Sequence, residues 1–240
     1  MAPQSSAVEQ ERGRLRGGLA TRPHRPRHPE AAEGPGVHRL SGVPGAGHSL
    51  LVPSRLPASA PLVVLLHGAG GGPGGMLPFL RAEAEARGLL VLAPKSKDAT
   101  WDVIRGGFGP DVRALDAALE QVLDRYPVDA ARIAVAGFSD GASYALSIGL
   151  LNGDLFSRVA AFSPGFMVAP RPVGKPSVFV SHGVADRVLP IDRCSRRLVP
   201  SLRQEGYEVD YREFPDGHEV PPEMVRAALE PFAPEPSEKA

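Results

Sequence analysis

The stretch that most constrains this chain is Ile133-Ala134-Val135-Ala136-Gly137-Phe138-Ser139-Asp140-Gly141-Ala142-Ser143-Tyr144-Ala145. A short apolar run of β-type enters it, a Gly-x-Ser-x-Gly turn follows, and an Ala- and Leu-rich segment leaves as a helix. Strand, sharp turn and helix in that order are the setting of a nucleophile elbow. Ser139 is then held in a strained backbone conformation. Gly137 and Gly141 are required because a Cβ at either position would collide with the neighbouring strand or helix. The turn also sets the hydroxyl at a helix N-terminus, where the dipole and free N–H groups favour negative charge. The competing reading is an ordinary Gly-rich turn whose Ser caps the helix.

The rest of the chain supplies the strands and helices such an elbow needs. Leu62-Val63-Val64-Leu65-Leu66 and Leu89-Leu90-Val91-Leu92-Ala93 are continuous apolar runs, the pattern of parallel strands buried on both faces. Further strands are predicted at 48–52, 132–136, 159–162, 177–181 and 209–214. Between them fall helical segments. One runs from about Gly75 to Arg87, with Gly88 as its C-cap. Another opens at Pro110, with Val112, Leu115, Leu119 and Val122 on one face. Others cover 140–151 and 191–204, and a last one starts at Pro222. Strands alternating with helices predict an α/β fold, a mostly parallel twisted sheet with helices on both faces.

The predicted domain covers residues 37–232. Residues 1–36 read as a disordered tail. Their larger apolar residues are Met1, Val8, Leu15 and Leu19, too few to offset ordering entropy, and six Arg against four Glu leave only +2. Residues 233–240 read as a frayed end. Formal net charge is zero, from 27 basic and 27 acidic residues, which gives no support for a nucleic-acid partner. No apolar run approaches the ~20 residues of a membrane span. The single Cys194 leaves no intrachain disulfide, and a cytoplasmic location is expected.

A serine hydroxyl needs a base to take its proton. In an open parallel sheet, functional groups gather at the carboxyl ends of the strands. Two histidines follow strands downstream of Ser139. His182 lies inside a strand-end turn; His218 lies in the turn Asp216-Gly217-His218-Glu219 and is the candidate base. Asp186, after the 177–181 strand, is the candidate acid. Asp192 and Asp216 are rivals: the first begins a helix and the second is too close in sequence to lie behind His218. The order Ser139, Asp186, His218 is that of the α/β-hydrolase triad. His67 and His182, each before a Gly, are expected to brace loops. The oxyanion is expected on the backbone N–H groups of Asp140 and of a residue in the Gly-rich loop, Ala69 first and Gly70 as the alternative. Trp101, Phe108, Phe166 and Met167 are the expected pocket walls. No metal or cofactor is called for.

Together, His67-Gly68-Ala69-Gly70-Gly71, Gly137-Phe138-Ser139-Asp140-Gly141, His182-Gly183-Val184-Ala185-Asp186-Arg187-Val188-Leu189-Pro190 and Gly217-His218-Glu219-Val220-Pro221 resemble the phospholipase/carboxylesterase family of α/β-hydrolases over roughly Pro61 to Phe232. The resemblance implies a sheet of about seven or eight strands with no large lid. It implies Ser139 as nucleophile, His218 as base, Asp186 as orienting acid, and a small ester or thioester as substrate. One departure is Asp140, where the acyl-protein thioesterase branch tends to have Gln. Peptide or lactone cleavage on the same triad is the nearest alternative. A non-catalytic binding protein would be expected to have lost a triad residue, and none is lost.

Overall fold

A computed structural model describes residues 9, 11 and 13–233. Eight strands form one sheet: β1 (Gly36–Arg39), β2 (Ser49–Val52), β3 (Ala60–Leu66), β4 (Leu90–Ala93), β5 (Val128–Phe138), β6 (Arg158–Phe162), β7 (Ser177–Gly183) and β8 (Val209–Phe214). Their spatial order is β1-β2-β4-β3-β5-β6-β7-β8, with β1 and β2 antiparallel to their neighbours and every other pairing parallel. This is the predicted α/β-hydrolase sheet. The helices are α1 (Pro73–Arg87), α2 (Pro110–Arg125), α3 (Asp140–Leu151), α4 (Ser195–Gln204) and α5 (Pro222–Leu229).

The continuous apolar strands are buried on both sides, and alternate residues feed separate cores. Leu62, Val64 and Leu66 of β3 face a core with side chains of α2, α3 and α4. Val63 and Leu65 face the opposite one, with Leu77 and Leu80 of α1 and Val225 and Leu229 of α5. No helix among the described residues is long and apolar enough to cross a membrane.

Three expectations about the elements are corrected. Strand β1 was not predicted, because Gly-Val-His-Arg is an exposed edge with no apolar run. The helix expected over 191–204 is broken at Cys194, whose φ −116° and ψ −104° separate a 3₁₀ turn at Ile191–Arg193 from α4. The third correction is larger. Residues 13–36, expected to be a disordered tail, lie against α2 and α3; the other residues of that expected tail, and 234–240, fall outside the described residues apart from 9 and 11.

Polar contacts hold the segment. The buried Asp116 carboxylate accepts from Arg14 Nε and Nη2 (3.0 and 2.8 Å) and from the Ala20 and Thr21 amides (both 2.9 Å). Asn152, at the end of α3, accepts from the Leu19 amide at 2.8 Å and donates to Gly17 O at 2.9 Å. Leu19 is buried. Removing the Asp116 carboxylate strands the buried Thr21 amide, the part-buried Ala20 amide and a guanidinium. Asp116→Ala is therefore expected to lower unfolding free energy by about 2–4 kcal/mol, and to speed trypsin cleavage after Arg16 and Arg27, the arginines of the segment that are not followed by proline or bonded to Asp116. Asp154→Ala, which removes only an exposed partner of Arg22, is expected to change it by less than about 1 kcal/mol. Chemical denaturation and limited proteolysis of the two variants check this.

Candidate active site

Strand β5 runs straight into the elbow. Ser139 has φ 58° and ψ −120°, a conformation rarely adopted by non-Gly residues. The two flanking glycines are sterically compelled. A Cβ on Gly137 would stand 2.2 Å from Gly141 O, and one on Gly141 would stand 2.2 Å from Leu66 O at the end of β3. The strained residue is pinned by its own amide, which donates to Phe162 O of β6 at 3.0 Å. Ser139 occupies the N-cap of α3 but makes no side-chain cap bond, so the capping reading fails. Its hydroxyl instead donates to His218 Nε2 at 2.9 Å.

His218 Nδ1–H donates to Asp186 Oδ2 at 2.6 Å. The other carboxylate oxygen, Oδ1, accepts the Val188 and Leu189 amides, each at 2.8 Å. Burial alone would raise the Asp186 pKa; the His218 bond and the two amides outweigh it and hold the carboxyl below its ordinary value. The rival acids are engaged elsewhere. Asp192 is exposed and pairs with Arg196, and Asp216 supplies its backbone carbonyl to the Ala185 amide.

The two bracing histidines behave as expected. His182 lies behind the acid, with Nε2 donating to Leu189 O at 2.8 Å and standing 3.2 Å from Asp186 Oδ2. Its Nδ1 accepts from Ser195 Oγ at 2.7 Å. Burial lowers the His182 pKa, which keeps the ring neutral. His67 accepts the Ser96 amide on Nε2 at 3.0 Å and donates from Nδ1 to Gly68 O at 2.7 Å. It too is lowered by burial. This brace fixes the Gly-rich loop beside the nucleophile: a Cβ on Gly68 would lie 3.4 Å from Ser139 Cβ. Ala69 is the next residue. On the other side, the Asp140 amide opens α3, where the first N–H groups have no intrahelical acceptor. The Asp140 carboxylate accepts from Thr100 Oγ1 at 2.6 Å, which explains the acidic side chain next to the nucleophile.

The expected pocket walls divide. Trp101 is a core residue, 1% exposed. It stacks on Tyr144 at 4.9 Å and donates from Nε1 to His67 O at 2.8 Å. Its role is to hold the Gly-rich loop. Phe108 packs against Tyr144 and beside Gly17 of the N-terminal segment, so it too is no pocket wall. Phe166 and Met167 are half-buried in the loop after β6. The Gly165 amide there donates to Ser143 Oγ, one turn along α3, at 2.9 Å. Two aromatics were missed. Phe138 lies against the His218 ring with centroids 4.7 Å apart, and Phe79 of α1 lies 6.5 Å beyond it. Phe138 is the variable position before the serine, and an exposed Phe in α1 was the available signal for Phe79.

As for metals, His24, Glu120 and Asp124 bring ligand atoms within 4.8 Å of one another. Arg27 binds both carboxylates, so the group is an ion-pair cluster between the N-terminal segment and α2.

Sheet order, strained elbow and the Ser139, His218, Asp186 line define an α/β-hydrolase. The phospholipase/carboxylesterase family matches residues 108–232, 125 of the 240, including all three of these residues, and the chain belongs to that family. Among curated relatives, a probable feruloyl esterase C of Aspergillus oryzae is 29% identical over 167 residues, which is 65% of this chain and 60% of that protein. The one from Aspergillus niger is 28% identical over 233 residues, 82% of this chain and 84% of that protein. Among solved structures, esterase PE8 shares the fold with a TM-score of 0.63 at 24% identity, covering 76% of this chain and 97% of its own.

The Asp186 geometry has a measurable consequence. Its folded-state pKa lies below the unfolded value of 3.8. Its contribution to stability is therefore fully present above that value and lost as pH falls through the lower folded one. Wild type is expected to lose stability more steeply than Asp186→Asn between about pH 5 and pH 2. Urea titrations at stepped pH would read this. Parallel curves for the two proteins would mean that the amides and His218 do not favour the ionised acid.

Proposed function

We propose that the chain hydrolyses carboxylic esters through an acyl-enzyme on Ser139. The observation that carries this reading is the position of His218, bonded to Ser139 Oγ on one ring nitrogen and to Asp186 on the other. The proton path then has a defined direction. His218 Nε2 takes the Ser139 proton as Oγ attacks the ester carbonyl. The oxyanion rests on the Asp140 and Ala69 amides. His218 passes its proton to the leaving alcohol, and water, activated by the same ring, then releases the acid. Asp186 stays ionised throughout and keeps the His218 Nδ1–H in place. The chemistry uses side chains and backbone amides alone, and the substrate is a small ester.

The names of the Aspergillus relatives make aromatic acyl esters of the feruloyl class the first substrates to assay. No segment among the described residues is inserted over the elbow as a large lid, which leaves room for a small or extended acyl group. Thioesters and peptides on the same triad are comparison substrates.

p-Nitrophenyl esters across acyl lengths, methyl ferulate, and labelling by a fluorophosphonate form the test. Ser139→Ala is expected to abolish labelling and reduce kcat on the order of 10⁶-fold. Asp186→Asn is expected to reduce it about 10⁴-fold, because the amide stabilises the wrong His218 tautomer. A wild-type chain that neither turns over esters nor takes the label would overturn the proposal.

A further inference from the structure

A groove of about 450 Å³ runs between α1 and α5. Pro78, Phe79 and Ala82 form one wall, and Val220 and Val225 form the other. Both helices leave the candidate active site. α1 starts just after the Gly-rich loop, and α5 starts just after His218. The groove therefore opens at the site end of each helix. Its near end is tied to the base by two contacts. Phe79 neighbours Phe138, and Phe138 covers a face of the His218 ring. Val220 is two residues from His218 in sequence. At the far end the Arg226 Nε stands 3.6 Å from Glu83 Oε1. Phe79 is 40% exposed, although an aromatic ring of that size gains by being covered.

Resting on the proposed function, we propose that this groove holds the alcohol portion of the ester, and that Phe79 sets the preference for apolar, ring-sized alcohols. Two observations assign the groove to the alcohol and not to the acyl group. The leaving oxygen must come within hydrogen-bond reach of His218 Nε2 to receive its proton, and the groove wall at Phe79 connects to that imidazole through the Phe138 ring. The second observation is that the two faces of the sheet flank the elbow differently: α1, α5 and Phe138 pack on one, and Phe166 and Met167 pack on the other. The Gly-rich loop and α1 follow β3. The loop carrying Phe166 and Met167 follows β6, where a Cβ on Gly165 would meet the Leu189 side chain at 3.4 Å. Ser139 stands between the two flanks, so the two halves of an ester divide between them. The alcohol takes the flank of Phe79 and Phe138, where Phe138 meets the His218 ring, and the acyl group takes the flank of Phe166 and Leu189.

Leaving-group contacts exist only until the alcohol departs, so they act on acylation and are absent from deacylation. The test compares wild type and Phe79→Ala, a surface change on α1, on two ester series. One keeps acetyl and varies the alcohol from methyl to hexyl to 1-naphthyl. The other keeps methanol and varies the acyl group. Phe79→Ala is expected to lower kcat/KM for the hexyl and naphthyl acetates by about 5–20-fold relative to methyl acetate, with no dependence on acyl group across the methyl esters. The intrinsic reactivity of each alcohol cancels in the ratio of the two enzymes. A loss that follows the acyl series, or no loss in either, overturns the assignment. A fluorophosphonate label on Ser139 in both proteins separates these results from failure of the triad, because an unlabelled wild type would sink the proposed function itself.

Discussion

The structure depends on the backbone contact at the elbow. A Cβ on either Gly137 or Gly141 would stand 2.2 Å from a backbone oxygen, so β5, α3 and the end of β3 meet main chain to main chain. No side chain intervenes that could adjust. The strained Ser139 is held from a third direction by its amide bond to Phe162 of β6. Strain of this kind costs on the order of 1–3 kcal/mol and persists only where the surroundings over-determine it. Here three adjacent strands and a helix do so, and the hydroxyl is left with no local acceptor other than the imidazole that β8 delivers.

The acid is the second fixed point. A buried carboxylate stays ionised only if donors replace its hydration. Asp186 receives the two loop amides and the His218 N–H, with His182 behind it. The neutral state of His182 matters to this arrangement. A charged ring there would place a cation beside Asp186 and weaken its hold on His218. Burial keeps that ring neutral, and Ser195 fixes which of its nitrogens carries the hydrogen.

Much of this was legible because parallel strands and the elbow are local patterns. Five buried apolar runs, two glycines around a serine, and an acid and a histidine after successive strands can be read without knowing any contact. What failed depended on partners. Trp101 in a loop looked like a pocket wall, and nothing local reveals that its N–H is committed to His67 O. The N-terminal segment looked disordered because it was judged on apolar content, whereas it is held by hydrogen bonds to two buried polar groups. A signal was present in α2. Asp116 falls among Val112, Leu115 and Leu119 on the inward face of an amphipathic helix, and a carboxylate there requires donors from another segment. Strand β1 carried no such signal, since its alternation is half-buried against exposed over only four residues.

Helix α3 links these features. The amide of its first residue is the one proposed to hold the oxyanion, and that residue's side chain ties down the loop at Thr100. Ser143 and Ser147, one and two turns on, accept the Gly165 and Val168 amides and so hang the loop bearing Phe166 and Met167 from the same helix. Its C-terminal neighbour Asn152 clamps Gly17 and Leu19. Ser139, the Asp140 amide and the loop of Phe166 and Met167 are thus tied to one helix, referenced to the sheet through the glycine contacts. His218 is the exception. It reaches the site on a turn after the edge strand β8, and its position is set by Asp186 and the Phe138 ring. In the proposed mechanism this ring, held by one charge-assisted hydrogen bond and one aromatic face, serves both Ser139 and the leaving oxygen through Nε2, whereas Ser139 and its neighbouring amides are built on the main chain.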